Sequence, residues 1–342
     1  MKRHFLHALL FVGLLTLLPL IPALFLHPQE EPAVPDAPAE TQLSTTEPPI
    51  VENRPAARIC YHVYRCETGE IQDIPVRDYI IGAVAAEMPV SFEPEALKAQ
   101  AVAAHTYAER QCLAAAGQEE LNGADFSDDP AKFQAFLTED EQRQRWGTHY
   151  DVNYTKLSTA VDAVVEKVLT YEDEPILAAF HAMSTGRTES AENVWGSDVA
   201  YLQPVESAAD VDAPQYEEQA EFSANEVGDR LTNAHPALHI GGDPADWFGE
   251  PETSAAGTVL SIRAGDGLFT GQELRTLFEL RSAAFTVEYV ENRFVFTTHG
   301  FGHDVGMSQY GANAMAQNGA DYAEILAHYY PGAVLEESRL PS

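Results

Sequence analysis

Pro94 and Gly117 bracket the stretch EALKAQAVAAHTYAERQCLAAA. Proline is tolerated in a helix's first turn, and glycine is a natural stop just past the last one. The bracketed residues therefore predict one long helix. Its many alanines let another backbone approach closely. Immediately upstream, VRDYIIGAVAAEM carries Tyr79, Ile80, Ala83, Val84 and Glu87 at helical spacing, and Pro89 ends that run.

Strand patterns lie on both sides of this pair. RICYHVYRC and EIQDIPV alternate around a turn at Glu67-Thr68-Gly69. Residues 118–150 read as acidic and irregular, and KLSTAVDAVVEKV as a further helix. LTYEDEPILAAFHA follows as strand–turn–strand, then MSTGRTESAENVWG as a polar loop. A helix-and-loop region runs from Ser223 to about Ala245. TVLSIRAG, AFTVEYVE and RFVFTTHG read as strands, and a last helix starts at SQYGANAMAQNG. The expected class is α+β, with helices near the N-terminal half packed against mainly antiparallel strands, as one domain or two closely packed lobes.

Among 342 residues, 20 are basic and 53 acidic, a net charge of −33. No basic stripe exists, which argues against a nucleic-acid partner. Such acidity keeps a chain soluble and repels anionic polymers at long range, so a polymer substrate has to be gripped at short range.

Residues 1–27 begin Met1-Lys2-Arg3-His4 and continue FLHALLFVGLLTLLPLIPALFL. This apolar run approaches the ~20 residues that span a bilayer. Basic residues before it and an acidic chain after it place the C-terminal part outside the cytoplasm. The expectation is a single-pass anchor in the cell membrane, outside the fold. A cleaved signal peptide is the competing reading, although its apolar part is usually ~7–15 residues and ends in small residues. Residues 28–57, dense in proline and acid, read as a disordered tether, and 58–342 as the folded domain. Cys60 and Cys66 either pair outside the cell or remain, with Cys112, unpaired thiols.

Two separated stretches point to one family. IIGAVAAEMPVSFEPEALKAQAVAAHTYA and HGFGHDVGMSQYGANAMAQNG resemble the N- and C-terminal signatures of the stage II sporulation protein D (SpoIID/LytB) family. STGRTESAENVWG, YLQPVES and YYPGAVL also match, in the same order, over about residues 58–336. The resemblance implies a lytic transglycosylase of peptidoglycan glycan strands, active in forespore engulfment. Such an enzyme cleaves between N-acetylmuramic acid and N-acetylglucosamine without water and leaves 1,6-anhydro ends. It acts on strands stripped of stem peptides, beside the amidase SpoIIP and the membrane protein SpoIIM. The family also contains glycan-binding enhancers of amidases, which is the alternative.

Cutting a glycosidic bond needs a protonated carboxylic acid near the leaving oxygen. Glu87 ends an apolar helix beside Val84, Ala86, Met88 and Pro89, where desolvation would favour its neutral form. One carboxyl suffices when the nucleophile is the substrate's own C6 hydroxyl. AAEMP also matches the position of the family's catalytic glutamate. Read without the family, a glutamate before Met-Pro is an exposed helix end. Lys98 and His105, seven apart, share a helix face and would bind substrate or steady charge near Glu87. Lys98 read alone is a solvated helix residue. His105 stands where the family more often has Arg; it offers fewer donors and brings pH sensitivity.

Gly300, Gly302 and Gly306 let the backbone bend, leaving His303, Ser308, Gln309 and Tyr310 to line a groove and position the glycan opposite Glu87. The other reading has Gln309 and Tyr310 capping the last helix. Asp304, where the family has Gly, either crowds this loop or faces solvent. Ser184, Thr185, Glu189 and Trp195 are further candidate contacts, Trp195 being the sort of residue more often found in a core. Some relatives bind zinc after the second helix. Here Phe126, Ser127, Lys132 and Phe133 occupy that segment, none a usual ligand, and neither metal nor cofactor is expected.

Overall fold

The computed structural model describes residues 60–66, 68–115, 121–129 and 132–338. The expected anchor (1–27) and tether (28–57) lie outside the described residues. Among the described residues, no helix is long and apolar enough to cross a membrane.

In chain order the first elements are β1 (Cys60–Tyr64), β2 (Ile71–Pro75), α1 (Val76–Glu87), α2 (Pro94–Ala115), β3 (Phe126–Ser127), α3 (Glu139–Trp146), α4 (Tyr150–Asp162), β4 (Lys167–Tyr171), β5 (Glu174–Pro175), β6 (Phe180–His181) and α5 (Ala191–Trp195). They are followed by β7 (Glu217–Ser223), α6 (Ala224–Ala234), β8 (Glu252–Thr253), β9 (Val259–Ala264), β10 (Gly267–Phe269), α7 (Gly271–Phe278), β11 (Phe285–Val290) and β12 (Arg293–His299). The chain closes with β13 (Met307–Ser308), α8 (Gln309–Gln317), α9 (Tyr322–Tyr329) and β14 (Val334–Glu337). The fold is mixed α and β, with several small sheets rather than one large one. Most strand pairs are antiparallel; β1 with β3 and β6 with β13 are parallel.

The alanines explain the first core. Ala96, Ala99, Ala101, Ala103, Ala104 and Ala108 of α2 are all buried, with Leu97 and Val102 between them. Their small side chains let α1, α4, β4, α8 and α9 pack around one helix. Each fully buried Leu or Val there contributes roughly 1.5–3 kcal/mol. The residues run from Tyr61 to Leu202, then from Val305 to Tyr330, so the chain's far end returns to complete this core.

The intervening residues build a second core. Sheet β11-β12-β7 places Phe285, Phe294 and Phe296 against Val227 and Leu231 of α6 and Leu274 and Phe278 of α7. Ile262 and Ala264 of β9 join them. Tyr216 leads into this lobe and Gly300 leaves it, and the Gly300 amide donates to the Tyr216 carbonyl at 2.8 Å, closing the neck.

Two helices depart from the sequence reading. Residues 118–150 are not irregular throughout, because α3 forms there behind a capping box: the Thr138 hydroxyl accepts from the Glu141 amide, and the Glu141 carboxylate accepts from the Thr138 amide. The last helix divides in two at Asn318-Gly319, giving α8 and α9.

Candidate active site

Glu87 is the last residue of α1. The segment after β3 lies across this helix because Gly82 has no Cβ; one placed there would stand 2.3 Å from the Phe136 ring and 2.5 Å from the Leu137 carbonyl oxygen. Phe136 stacks on Tyr79 at 5.3 Å, and the Leu137 amide donates to the Gly82 carbonyl at 3.1 Å. This close approach brings the Ala135 amide to the Glu87 carboxylate. From α3, Arg145 donates to the Ala85 and Ala86 carbonyls at 3.0 and 3.3 Å. These are among the carbonyls a helix end leaves without an intrahelical partner.

Three influences therefore act on one carboxyl. Burial pushes its pKa up, while the Ala135 amide and the Arg145 charge pull it down. Burial prevails, and the pKa rises to about 7. Glu87 as a residue is half-buried, so part of it remains at the surface. It is not the wetted helix end that base rates alone suggest.

The loop after Glu87 meets the far end of the chain. Phe92 packs edge-on against Tyr310 at 5.0 Å, and the Glu93 amide donates to Asn313 of α8 at 2.8 Å. Tyr310 is half-buried and presents part of its ring outward. On the other side of the same loop, the Lys156 ammonium donates to the Ser91 carbonyl at 3.2 Å. An open groove of about 670 Å3 runs there between α2 and α4, lined by Pro94, Lys98, Asp151, Thr155 and Lys156 among others. Glu87 is not one of its lining residues. Lys98 pairs with Glu95 at 2.6 Å and lies over the Tyr322 ring.

Other expected contacts are enclosed. His105 is covered by β4: its Nδ1 donates to the Lys167 carbonyl at 3.2 Å, and Nε2 faces Glu109 at 3.4 Å. Burial lowers its pKa to about 4, so the imidazole is neutral at pH 7, and burial also raises the pKa of Glu109. The expectation that His105 meets a sugar gives way to a role inside the α2–β4 interface.

Ser308 is fully buried. Its hydroxyl donates to Asp210 at 2.8 Å and caps α8 through the Gly311 amide at 3.1 Å. Gln309 is buried and donates to Gln100 of α2 at 3.4 Å. His303 is buried between Trp195 and His181, its ring centroid 5.3 and 5.7 Å from theirs. Its Nδ1 accepts from the Val305 amide, and burial depresses its pKa strongly, so it is neutral. These three do not line a groove: they hold the loop, and Tyr310 is the member with a face to offer. The sequence reading treated them alike because hydrogen-bonding residues look the same whether they bind a ligand or the protein itself.

Asp304 neither crowds the loop nor faces solvent. It is buried at φ 64°, close enough to Arg275 to feel its charge, and its carbonyl accepts from the Glu189 amide. Ser184 bonds Asp210, and Glu189 bonds Ser190, Asn193 and Ser254, so this loop ties the two cores together. Trp195 is half-buried against the first core. Arg145 was missed by sequence reasoning; the Thr138–Glu141 capping pattern was the available signal that an ordered helix lies there.

A family profile described as Stage II sporulation protein (SpoIID) matches residues 64–171. The chain is 34% identical to Stage II sporulation protein D of Bacillus amyloliquefaciens, covering 96% of this chain and 95% of that one. It is 36% identical to Stage II sporulation protein D of Bacillus subtilis over 84% of this chain and 82% of that one. An amidase enhancer of Bacillus subtilis is 28% identical over 74% of this chain and 40% of its own length.

Proposed function

Because the chain belongs to the stage II sporulation protein D (SpoIID) family, we propose that it is a membrane-anchored lytic transglycosylase of peptidoglycan, acting during engulfment of the forespore. The observation that carries this reading is the place of Glu87 at the end of α1, half-buried as a residue, where burial raises the carboxyl's pKa to about 7. A general acid is most effective when its pKa lies near the working pH.

Glu87 gives its proton to the glycosidic oxygen as the bond to C1 of the muramyl sugar breaks. The carboxylate then takes the proton of that sugar's C6 hydroxyl while the oxygen bonds C1. Glu87 ends as it began, and no water is consumed. Tyr310, held edge-on by the buried Phe92, offers an aromatic face beside the loop that follows Glu87. Lys98 and Lys156 supply cations along the neighbouring groove, against the lactyl carboxylates of peptide-free strands. An anchor in residues 1–27 would hold the domain outside the cytoplasm, where SpoIIP and SpoIIM are the expected partners.

The test incubates residues 58–342 with peptide-free glycan strands and looks for 1,6-anhydro ends by mass spectrometry. Such ends, lost in Glu87→Gln, are the expected result. Intact strands from folded protein would mean that it does not cleave them. The relative named amidase enhancer favours a second reading, a glycan-binding protein that stimulates an amidase. On that reading Glu87→Gln leaves both binding and stimulation unchanged.

A further inference from the structure

Arg145 takes no part in the proton transfers, yet it occupies the end of the helix that carries Glu87. Its side chain is exposed overall, yet its guanidinium reaches two successive carbonyls, Ala85 and Ala86, the residues just before the acid. A cation at a helix C-terminus also meets the negative end of the helix dipole. The groups facing Glu87 come from three helices. Tyr79 lies on α1, Tyr107 on α2 and Arg145 on α3. Burial pushes Tyr107 up to about 12 and Tyr79 higher still, so both stay neutral through the working range. At the opposite end of α1, Arg77 is already paired with Asp162 of α4. Arg145 is thus the cation, among the described residues, whose charge reaches Glu87.

We propose that Arg145 is a positioning residue for Glu87: it fixes the last turn of α1 and supplies the positive charge beside which the carboxylate is left once its proton has gone. This rests on Glu87 as the acid. Between the two half-reactions Glu87 is an anion in a dry site, and an unpaired buried carboxylate is costly. Arg145 lowers that cost without touching the sugar. It also keeps burial from pushing the acid so high that it would fail as the base that takes the C6 proton.

The experiment compares full-length wild type with Arg145→Gln, Arg145→Met and Arg145→Lys, each with and without Glu87→Gln. Two quantities are followed against pH: the rate of 1,6-anhydro end formation and the melting temperature. Loss of the cation raises the pKa of Glu87, so the basic limb of the rate profile moves up by about one pH unit in the neutral variants. Arg145→Lys keeps the charge and restores the wild-type limb. The extra stability of Glu87→Gln still sets in near the unfolded carboxyl's pKa, but the pH at which it levels off moves up by the same amount, which reads the carboxyl without any catalysis. If the neutral variants leave both curves where they are, Arg145 does not act on Glu87. If wild type yields no anhydro ends, the transglycosylase reading falls, and the melting curves alone still decide the coupling.

Discussion

At the scale of single residues, Glu87 has opposite effects on activity and on stability. Its pKa is raised in the fold, so the folded state binds the proton more tightly than the unfolded chain does. The stability it allows is full below about pH 4.3 and is lost as pH rises through about 7. Glu87→Gln is therefore expected to abolish anhydro-end formation, by about 100-fold or more, yet to raise the melting temperature at pH 8. At pH 4 the two proteins should melt alike; calorimetry at both values checks this. Asp304 offers a cleaner backbone comparison. Asp304→Ala and Asp304→Gly both remove the carboxyl facing Arg275, but only alanine is strained at φ 64°. Alanine should be the less stable of the two by about 1 kcal/mol in denaturant titrations.

At the scale of elements, the site depends on how closely two pieces approach. The 133–137 segment can lie on α1 only where Gly82 leaves room. Gly82→Ala would set a Cβ against the Leu137 carbonyl, which cannot swing away as a side-chain tip can. A loss of about 1–3 kcal/mol is expected. Activity should fall further than stability accounts for, because the Ala135 amide moves off Glu87; rates taken well below the melting point separate the two. The N-terminus of α8 is held by one hydroxyl. Ser308→Ala removes a cap and leaves Asp210 short of a donor, which costs about 1–3 kcal/mol in the same titrations. A sugar-binding serine on the surface would cost almost nothing.

At the scale of the whole molecule, the charge of −33 opposes the approach of an anionic glycan. Salt screens exposed charges beyond about 10 Å at 0.1 M. For peptide-free strands, kcat/KM is expected to rise as salt goes from about 20 to 150 mM, with kcat unchanged. A fall would mean that Lys98 and Lys156 dominate the local field. The two cores give a separate expectation. Glu189 and Ser254 join the loop after β6 to the second lobe. Ser254→Ala should speed hydrogen exchange around residues 252–258 and 184–190 while leaving α2 protected.

Much of this was written in local pattern. The alanine-rich α2, its proline start, the β11 and β12 strands and a glutamate at the end of α1 all follow from period, turn chemistry and bracketing residues. The family followed from two ordered stretches, and with it the expectation that Glu87 is the acid. Tertiary structure alone decided which polar residues serve the fold. His105, His303, Ser308 and Gln309 have the chemistry of ligands, but whether such groups face a cleft or another strand depends on packing between segments some two hundred residues apart, as Gln100 and Gln309 are. Arg145 was invisible for the same reason. Its effect on Glu87 is a matter of distance in a dry medium, and distance across 58 residues of chain is fixed only when α3 folds against α1.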